Sequence, residues 1–475
     1  MRLRTAHSIL ALLALISLAV LIACSGGGGG GGNKSLGNSN GSVTTTVSDP
    51  STCSSPQGPY SHIYITVADV RINQSATASP TDSGWVDLTP NLTPTQVDLL
   101  STTSTNCFLA TLGSNVALAA GDYQQIRVIL LDNSKASQVS GNRCDGTSVN
   151  CAVTAADNVP HPLQLSSESQ TGIKIPSAAI AGGKYTIAAG ESSNLNIDFN
   201  ACASVVIQGN GQYRLKPVLY AGEVTVNTTS ISGKVVDSLT QATIATGGKT
   251  AVVLEQKDSN NVDRVVMATT TDAAGNFTLC PVPSGIYDLV VVAIDGRGVA
   301  YGATVVTGVQ PGNAVGNIPI VATTGTSTGT ASITGTVTTV NASSAGTSAD
   351  ISLSTLQSIN GTTMVTVPQV ASSSVTISLA TATGASCPTN TACATYTAQV
   401  PALTPNVGAY SASGTTFTHA AAPVNYTLDA IAFVPNSGGT LNCNPSEIKS
   451  ATPIVVSAGT TVNPPPPTIA FTGCQ

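Results

Sequence analysis

The chain has 475 residues, enough for about two to four domains of ordinary size, and only 8% of them are charged. Soluble globular proteins usually have about 25% charged residues, which argues against a cytosolic enzyme with a heavily charged surface. Lys plus Arg number 17 and Asp plus Glu number 23, giving a net charge of −6 and no basic surface for nucleic acid.

The first 23 residues have the pattern of an export signal. Arg2 and Arg4 precede an apolar run that ends at Ile22 and is shorter than the ~20 residues that span a membrane. The sequence Leu21-Ile22-Ala23-Cys24 resembles the lipobox of bacterial lipoproteins, in which the cysteine is lipidated and becomes the mature N-terminus. The resemblance implies a multiply acylated Cys24, which anchors stably. Ser25, in place of an Asp, implies the outer membrane.

Residues 24–50 are rich in Gly, Ser and Asn and include an unbroken glycine run from Gly26 to Gly32. This composition cannot bury a core and is typical of a flexible chain. The sequence therefore predicts a tether over 24–50 that holds the rest of the exported protein away from the membrane.

Export permits disulfides, and an even number of cysteines remains after Cys24. Two pairs bracket short polar loops and are predicted to be local disulfides: Cys144 with Cys151, and Cys387 with Cys393. Cys443 with Cys474 would tie the last strand to the C-terminal domain. The partners of the other four stay open: Cys53, Cys107, Cys202 and Cys280. Zinc binding is the competing role, but the cysteines form no C-x-x-C pair and no histidine stands at ligand spacing.

Beyond the tether, short β-branched segments with alternating polarity are separated by Gly, Asn, Asp, Ser and Pro, the pattern of an all-β protein. The segment Ile63–Val67 alternates cleanly and then changes parity before Val70, as a bulge or a strand end would cause. We predict tandem β-sandwich-type domains over 51–226, 228–322 and 331–475, with a Gly/Thr/Ser linker at 323–330.

Several motifs of the first domain follow one another in an order that resembles an exported bacterial family, domain of unknown function 4382. They are His62–Val67, Gly121–Val128, Thr171–Ile175, Ser193–Phe199 and Gly211–Val218. That family has no established activity, so the resemblance implies no functional residue.

The second domain resembles carboxypeptidase regulatory-like domains in its segments Ile231–Val235, Thr271–Phe277 and Val282–Val291. The resemblance implies a small prealbumin-like β-sandwich, grouped with carbohydrate-binding-like folds, that usually supports other domains. Ile333–Val337 echoes the first of these segments and hints at a repeated sandwich in 331–475.

Catalytic motifs are sparse. Three histidines remain after the signal peptide, His62, His161 and His419, and no G-x-S-x-G elbow accompanies them, which favours solvated loop histidines over a Ser-His-Asp triad. The glycine motifs at 209–211, 248–250 and 296–298 lack the spacing of a phosphate loop and are interpreted as β-turns. Asp272–Asn276 has too few acidic groups for a calcium loop and is likewise predicted to be a turn.

Two interpretations of polar and aromatic residues stay open. Trp85 and Tyr64 could form a sugar-stacking platform, although core filling is favoured in a chain with 4% aromatic residues. Arg127 and Lys216 lie within apolar strands, where edge positions or buried ion pairs explain them as readily as an anion site.

No catalytic, cofactor or metal site is predicted. The sequence favours a non-enzymatic, lipid-anchored protein of the outer membrane, periplasmic or surface-facing, with a binding, adhesive or scaffolding role. Its expected partners are the membrane, through lipid on Cys24, and a polysaccharide or another envelope protein. The alternatives are a carbohydrate-binding surface protein and, third, an exported hydrolase that uses one of the three histidines.

Overall fold

The computed structural model describes residues 40–49, 60–101, 107–165, 168–207, 211–224, 230–244, 248–258, 260–323, 329–341, 350–370, 377, 379–382, 387, 391–420, 422–433, 442–464 and 468–474. All of them belong to one compact unit, 38–475. Within these ranges no helix is long and apolar enough to cross a membrane.

The first part of this unit is a sandwich of short strands. They are β1 Asn40–Ser48, β2 Tyr60–Asn73, β3 Val86–Asp87, β4 Thr95–Asp98, β5 Ala110–Ala119, β6 Gly121–Tyr123, β7 Gln125–Leu130, β8 Cys151–Thr154, β9 Pro160–Gln164, β10 Ile173–Pro176, β11 Tyr185–Ile187, β12 Ser192–Phe199, β13 Val205–Ile207, β14 Tyr213–Leu215 and β15 Leu219–Val224. The described helices are short: α1 Ala201–Ser204 and 3-10 turns at Asn133–Gln138, Ser177–Ala179 and Ala181–Gly183.

The core of this sandwich lies between two sheets, ordered β15-β12-β1-β5 and β10-β7-β2-β8-β9-β14-β13. Ile63 and Ile65 alternate along β2 and are fully buried against this core, as the period of two requires. The register between β2 and β7 shifts between Val67 and Asp69. This bulge explains the change of parity before Val70 in the sequence.

The predicted tether over 24–50 is wrong over 40–48. Strand β1 lies inside the first sheet, parallel to β12 on one side and antiparallel to β5 on the other. Val43 and Val47 point into the core, while the Thr46 hydroxyl donates to Asn196 Oδ1 at 3.1 Å. The composition of residues 40–48 is typical of a flexible chain. Their β-branched Val and Thr residues nevertheless favour a strand when the neighbouring strands β12 and β5 form hydrogen bonds with it.

The rest of the chain forms a second group of strands. They are β16 Ile231–Asp237, β17 Lys249–Lys257, β18 Val262–Thr270, β19 Asn276–Leu279, β20 Tyr287–Ile294, β21 Ala300–Val309, β22 Ala314–Ile320, β23 Thr330–Asn341, β24 Asp350–Ser358, β25 Met364–Val367, β26 Leu379–Ala382, β27 Thr391–Pro401, β28 Asn406–Ala409, β29 Thr418–His419, β30 Asn425–Phe433, β31 Asn442–Lys449, β32 Ile454–Val455, β33 Thr461–Val462 and β34 Thr468–Cys474. The chain is therefore all-β in the tandem-sandwich manner that the sequence predicts.

One large sheet is central to this second group, with the order β29-β28-β21-β20-β17-β18-β25-β24-β30-β31. A small sheet, β19-β16-β22, packs on one face through residues such as Ile231 and Leu254. Another, β26-β27-β23-β33, packs on the other face through residues such as Ile333 and Val253. The two echoed segments lie in β16 and β23, each of which has an antiparallel neighbour on one edge and parallel pairing on the other. The parallel neighbour of β16 is β22, and those of β23 are β33 and β34.

The large sheet contains strands from both sides of the predicted linker at 323–330. Strand β18 pairs in parallel with β25, and β21 pairs in parallel with β28. The segments 228–322 and 331–475 therefore share one sheet and one of its cores, although the sequence marks them as separate.

Three disulfides lie in the described part of the chain. Two join the pairs expected from their short loops, Cys144–Cys151 and Cys387–Cys393, with Cα atoms 5.9 and 5.8 Å apart. The third, Cys107–Cys280, joins the first sandwich to the loop after β19 and has Cα atoms 5.4 Å apart. The side chains of Cys443, Cys474 and Cys202, and all of Cys24 and Cys53, lie outside the described residues.

Complete pairing of the mature cysteines stays a prediction. We expect thiol titration of the denatured, unreduced chain to find no free cysteine, because export and an even count after lipidation favour full oxidation. Peptide mapping should recover the Cys107–Cys280 link between the two groups of strands. Two or more free thiols per chain would contradict full pairing.

Candidate functional site

The chain's histidines are the first place to look for chemistry. His62 on β2 contacts Asp98 at the end of β4, with Nδ1 and Oδ2 2.7 Å apart, because β2 and β4 are paired with Tyr64 opposite Asp98. The imidazole also stacks on the Tyr64 ring, with centroids 5.4 Å apart. Since the His62 side chain is 45% exposed, this is a surface pair of a base and a carboxylate.

A second histidine has a similar arrangement. His161 Nε2 lies 3.2 Å from Asp157 Oδ2, and its ring stacks on Tyr213 with centroids 4.6 Å apart. His419, on the two-residue strand β29, is exposed. Among the described residues no serine hydroxyl hydrogen-bonds to any of these imidazoles, so a nucleophile–base pair is not assembled there.

Sequence reasoning took these histidines for solvated loop residues and missed both contacts with aspartate. His62 and Asp98 are 36 residues apart, and only the pairing of β2 with β4 brings them together. Asp157 precedes His161 by four residues, a signal that could have been noticed.

The possible sugar-stacking platform of Trp85 and Tyr64 is not assembled. Trp85 precedes Val86, which pairs with Ile72 at the far end of β2 from Tyr64. Eight residues along a strand correspond to about 25 Å. Trp85 is instead half-buried, and its indole Nε1 donates to the Ser79 carbonyl at 2.7 Å.

Two of the predicted turns are confirmed, those at Asp272–Asn276 and at 296–298. Asp272 Oδ1 accepts the amides of Ala274 and Asn276 at 2.9 and 2.7 Å, which closes the predicted turn. Gly298 has φ +87° in a turn that returns to Asp295. The motif at 248–250 differs from the prediction, because Lys249 begins strand β17. The motif at 209–211 lies mostly outside the described residues.

Buried carboxylates mark the junction between the first sandwich and the large sheet. Asp198 on β12 is 2% exposed, accepts a hydrogen bond from Ser48 Oγ at 3.2 Å, and stands opposite Tyr220 of β15. Burial raises the pKa of Asp198 to about 8, against the smaller opposing effect of Ser48. Burial and the nearby Asp198 and Glu255 carboxyls raise the pKa of Tyr220.

Further buried carboxyl groups lie in the large sheet. Glu255 of β17 is fully buried opposite Asp288 of β20, and its Oε2 accepts the Thr366 amide at 2.9 Å. Burial and then the Asp288 carboxyl raise the pKa of Asp263 to about 8, while Lys257 Nζ donates to Asp288 Oδ2 at 2.9 Å. Lys257 thus faces Asp263 and Asp288, while Arg264 is the cation that acts on Glu255. The raised pKa of Asp263 means that part of this group holds protons at neutral pH.

The two cations left open by the sequence have different surroundings. Lys216 is exposed in the turn between β14 and β15. Arg127 on β7 is 9% exposed, and its guanidinium carbon lies 5.4 Å from the centre of the Trp85 ring. Arg127 is therefore the one of the two that the fold encloses.

Cavities and metal ligands give little further indication of a site. A polar depression of about 240 Å³ lies between the loop 89–92 and strand β5. In the described ranges no group of three or more His, Cys, Asp or Glu side chains is placed to hold a metal ion.

The family comparison concerns the first sandwich. A family model described as "Domain of unknown function (DUF4382)" matches residues 40–217. The match begins at the first residue of β1 and ends just after β14, so it includes the strand that the sequence assigned to the tether. No curated protein matches the chain.

Several solved structures are similar over long stretches. The Bacillus anthracis TIE protein is 10% identical with a TM-score of 0.16, and covers 91% of this chain. This chain spans 50% of the TIE protein's length. The shaft pilin SpaA from Lactobacillus rhamnosus GG is 13% identical, with a TM-score of 0.17, over 60% of this chain and 98% of its own. A minor pilin of Streptococcus agalactiae is 11% identical, with a TM-score of 0.14, over 51% of this chain and 94% of its own. TM-scores this low carry no argument about function.

Proposed function

We propose that this chain is an exported envelope protein, held to the outer membrane by lipid on Cys24, that acts by binding, adhesion or scaffolding rather than by catalysis. The observation that carries the proposal is the set of disulfides in an all-β chain. Disulfides persist in oxidising compartments outside the cytoplasm, and Cys107–Cys280 joins the two groups of strands.

The position of β1 supports anchoring from the N-terminal side. β1 is the first described strand after the predicted lipidation site, and it pairs with β12 and β5 along most of its length. To pull this strand out of its sheet, hydrogen bonds on both of its edges must break. The hydrogen bonds on both edges of β1 would therefore resist a pull from a membrane anchor that precedes this strand.

The polar groups of the described chain favour a structural role over catalysis. The imidazoles of His62 and His161 each contact one aspartate and stack on one aromatic ring, and no serine hydroxyl of the described residues hydrogen-bonds to either of them. The buried carboxyls of Asp198 and Glu255 both lie near Tyr220, where the first sandwich meets the large sheet. We infer that the protein's function lies in its surfaces.

The anchor is tested by substitution at the predicted lipidation site. We expect cells that express the natural chain to incorporate radioactive palmitate into it, and the Cys24→Ala chain to remain unlabelled and leave the membrane fraction. Ser25→Ala is the matched control, because it changes the neighbouring residue and keeps the cysteine. Equal labelling of the natural and Cys24→Ala chains would contradict the anchor.

Absence of catalysis has a separate test. A fluorophosphonate probe, which labels activated serine nucleophiles, should mark the native chain no more than the heat-denatured chain. Labelling that is lost in His62→Ala or His161→Ala would instead support the hydrolase alternative.

A further inference from the structure

Three positive side chains lie side by side on one face of the large sheet of the first sandwich. Arg127 of β7 is directly opposite Arg71 of β2 and directly opposite Lys174 of β10. Directly opposite residues of antiparallel strands share a face, with Cβ atoms about 4.5–5.5 Å apart. Arg71, Arg127 and Lys174 thus form a continuous line, which we call the basic row.

Arg127, at the centre of the row, is held in a fixed orientation. Its Nη1 donates to the Thr171 carbonyl at 2.7 Å, and its guanidinium carbon lies 5.4 Å from the centre of the Trp85 ring. Its Nε is buried and finds no hydrogen-bond acceptor in the described chain. An enclosed charged donor without an acceptor is costly, so this edge of the guanidinium suits an acceptor from outside the chain.

The positive charge of the row is unevenly compensated. Arg71 Nε contacts Asp69 Oδ2 at 2.5 Å, whereas no carboxylate of the described residues forms an ion pair with Arg127. Like charges directly opposite each other destabilise a sheet, and burial followed by the Arg127 charge lowers the pKa of Lys174 to about 8. Arg127, at the centre of the row, is therefore the member whose charge meets no carboxylate among the described residues.

We propose that Arg127 and Lys174 form a binding site for an oxyanion: a carboxylate, sulfate or phosphate group. A planar guanidinium presents parallel N–H groups that match two oxygens of such an anion, and a lysine adds a second charge. Arg71, 45% exposed, and half-buried Lys174 leave the row open to solvent at its two ends. The site goes beyond the proposed envelope role and does not depend on Cys24.

The anion could belong to an acidic polysaccharide or be a free inorganic ion, and calorimetric titration distinguishes these sources. The full chain in detergent is titrated with sodium phosphate, sodium sulfate, trigalacturonate and, as the neutral sugar, maltotriose. We expect at least one anion to bind and maltotriose not to bind. Binding of trigalacturonate alone assigns a carboxylated glycan, and binding of phosphate or sulfate assigns an inorganic ion. No anion binding, or equal binding of maltotriose and trigalacturonate, would overturn the proposal.

Substitutions locate the site. Arg127→Gln and Lys174→Gln should each weaken anion binding about tenfold or more, the effect of losing one charged contact of about 1.4 kcal/mol. Lys135→Gln, which removes an exposed lysine elsewhere in the same sandwich, is the matched control and should bind as the natural chain does. Because Arg127→Gln also removes the Trp85 contact, its fold is checked by circular dichroism. If it does not fold, Lys174→Gln decides, and unchanged binding there refutes the site.

Discussion

Arg264→Ala is expected to lower the free energy of unfolding by about 3–5 kcal/mol, the usual cost of removing one partner from a buried ion pair. Arg264 on β18 is only 12% exposed and contacts Asp258 at 3.1 Å, Glu447 at 2.6 Å, and Asp429. The Asp429 side chain on β30 has no solvent exposure. Without the guanidinium its charge would be left in the sheet, so urea denaturation at pH 7.5 should show the loss.

Arg297→Ala is the matched control for this prediction. Arg297 also pairs with a buried aspartate, Asp295, at 2.7 Å, but its own side chain is 77% exposed. After the substitution, the backbone amides of residue 297 and Val299 still donate to Asp295 Oδ1, each at 2.9 Å. We therefore expect the free energy of unfolding to fall by less than about 1 kcal/mol.

The pH dependence separates a lost charge partner from lost packing. Burial already raises the pKa of Asp429 although Arg264 opposes it, and removal of Arg264 removes that opposition. The cost of Arg264→Ala should therefore shrink at pH 5, and Asp429→Asn in the same chain should recover part of it. A cost that is the same at both pH values would contradict a role through the Asp429 charge.

Asp198→Asn is expected to stabilise the protein at pH 8. The folded-state pKa of Asp198 is about 8 because of burial, whereas an unfolded aspartate has a pKa of about 3.9. At pH values between these two pKa values, Asp198 keeps its proton in the native state and has released it in the unfolded state. Stability is therefore full below about pH 4 and falls as the pH rises to about 8, by up to ~1.4 kcal/mol per pH unit for each such group.

For the natural chain we expect the free energy of unfolding to fall by about 2–3 kcal/mol between pH 5 and pH 7 from Asp198 alone. Asp263, with its pKa raised to about 8, adds to the same slope. Asp198→Asn should flatten this dependence without abolishing it, as urea denaturation across the pH range will measure.

Asp122→Asn is the control for Asp198→Asn. Asp122 is exposed, and the Lys184 and Thr186 side chains lower its pKa below the ordinary aspartate range, away from the window between pH 5 and pH 7. We expect this variant to leave the slope between pH 5 and pH 7 unchanged. A slope equally unchanged by Asp198→Asn would show that Asp198 is ionised in the native state.

The sequence by itself determined the all-β class, because alternation along segments such as Ile63–Val67 is a local property that any pairing must satisfy. The change of parity before Val70 indicated either a bulge or a strand end, and the register of β2 against β7 shows that it is a bulge. The sequence also determined the two local disulfides. Short loops bring Cys144 close to Cys151 and Cys387 close to Cys393, and this does not depend on how the rest of the chain folds.

Tertiary structure decided the role of β1 and the boundaries of the sheets. Residues 40–48 have the polar composition of a linker, and only the side chains of β12, such as Asn196 and Asp198, make their burial favourable. Likewise, nothing near 323–330 reveals that β18 pairs with β25 across the linker. Strand pairing at such separations depends on which edges remain free after other strands have packed, which no local pattern records.

The charged sites were decided in the same way. Arg127 looked like any cation in an apolar strand until the register placed Lys174 and Arg71 on either side of it. Arg264 meets Asp429, 165 residues away, only because β30 lies in the same sheet as β18. The local sequence fixed how each strand alternates, whereas the charges that face one another were set by strand order and register, because electrostatic energy depends on distance in space rather than along the chain.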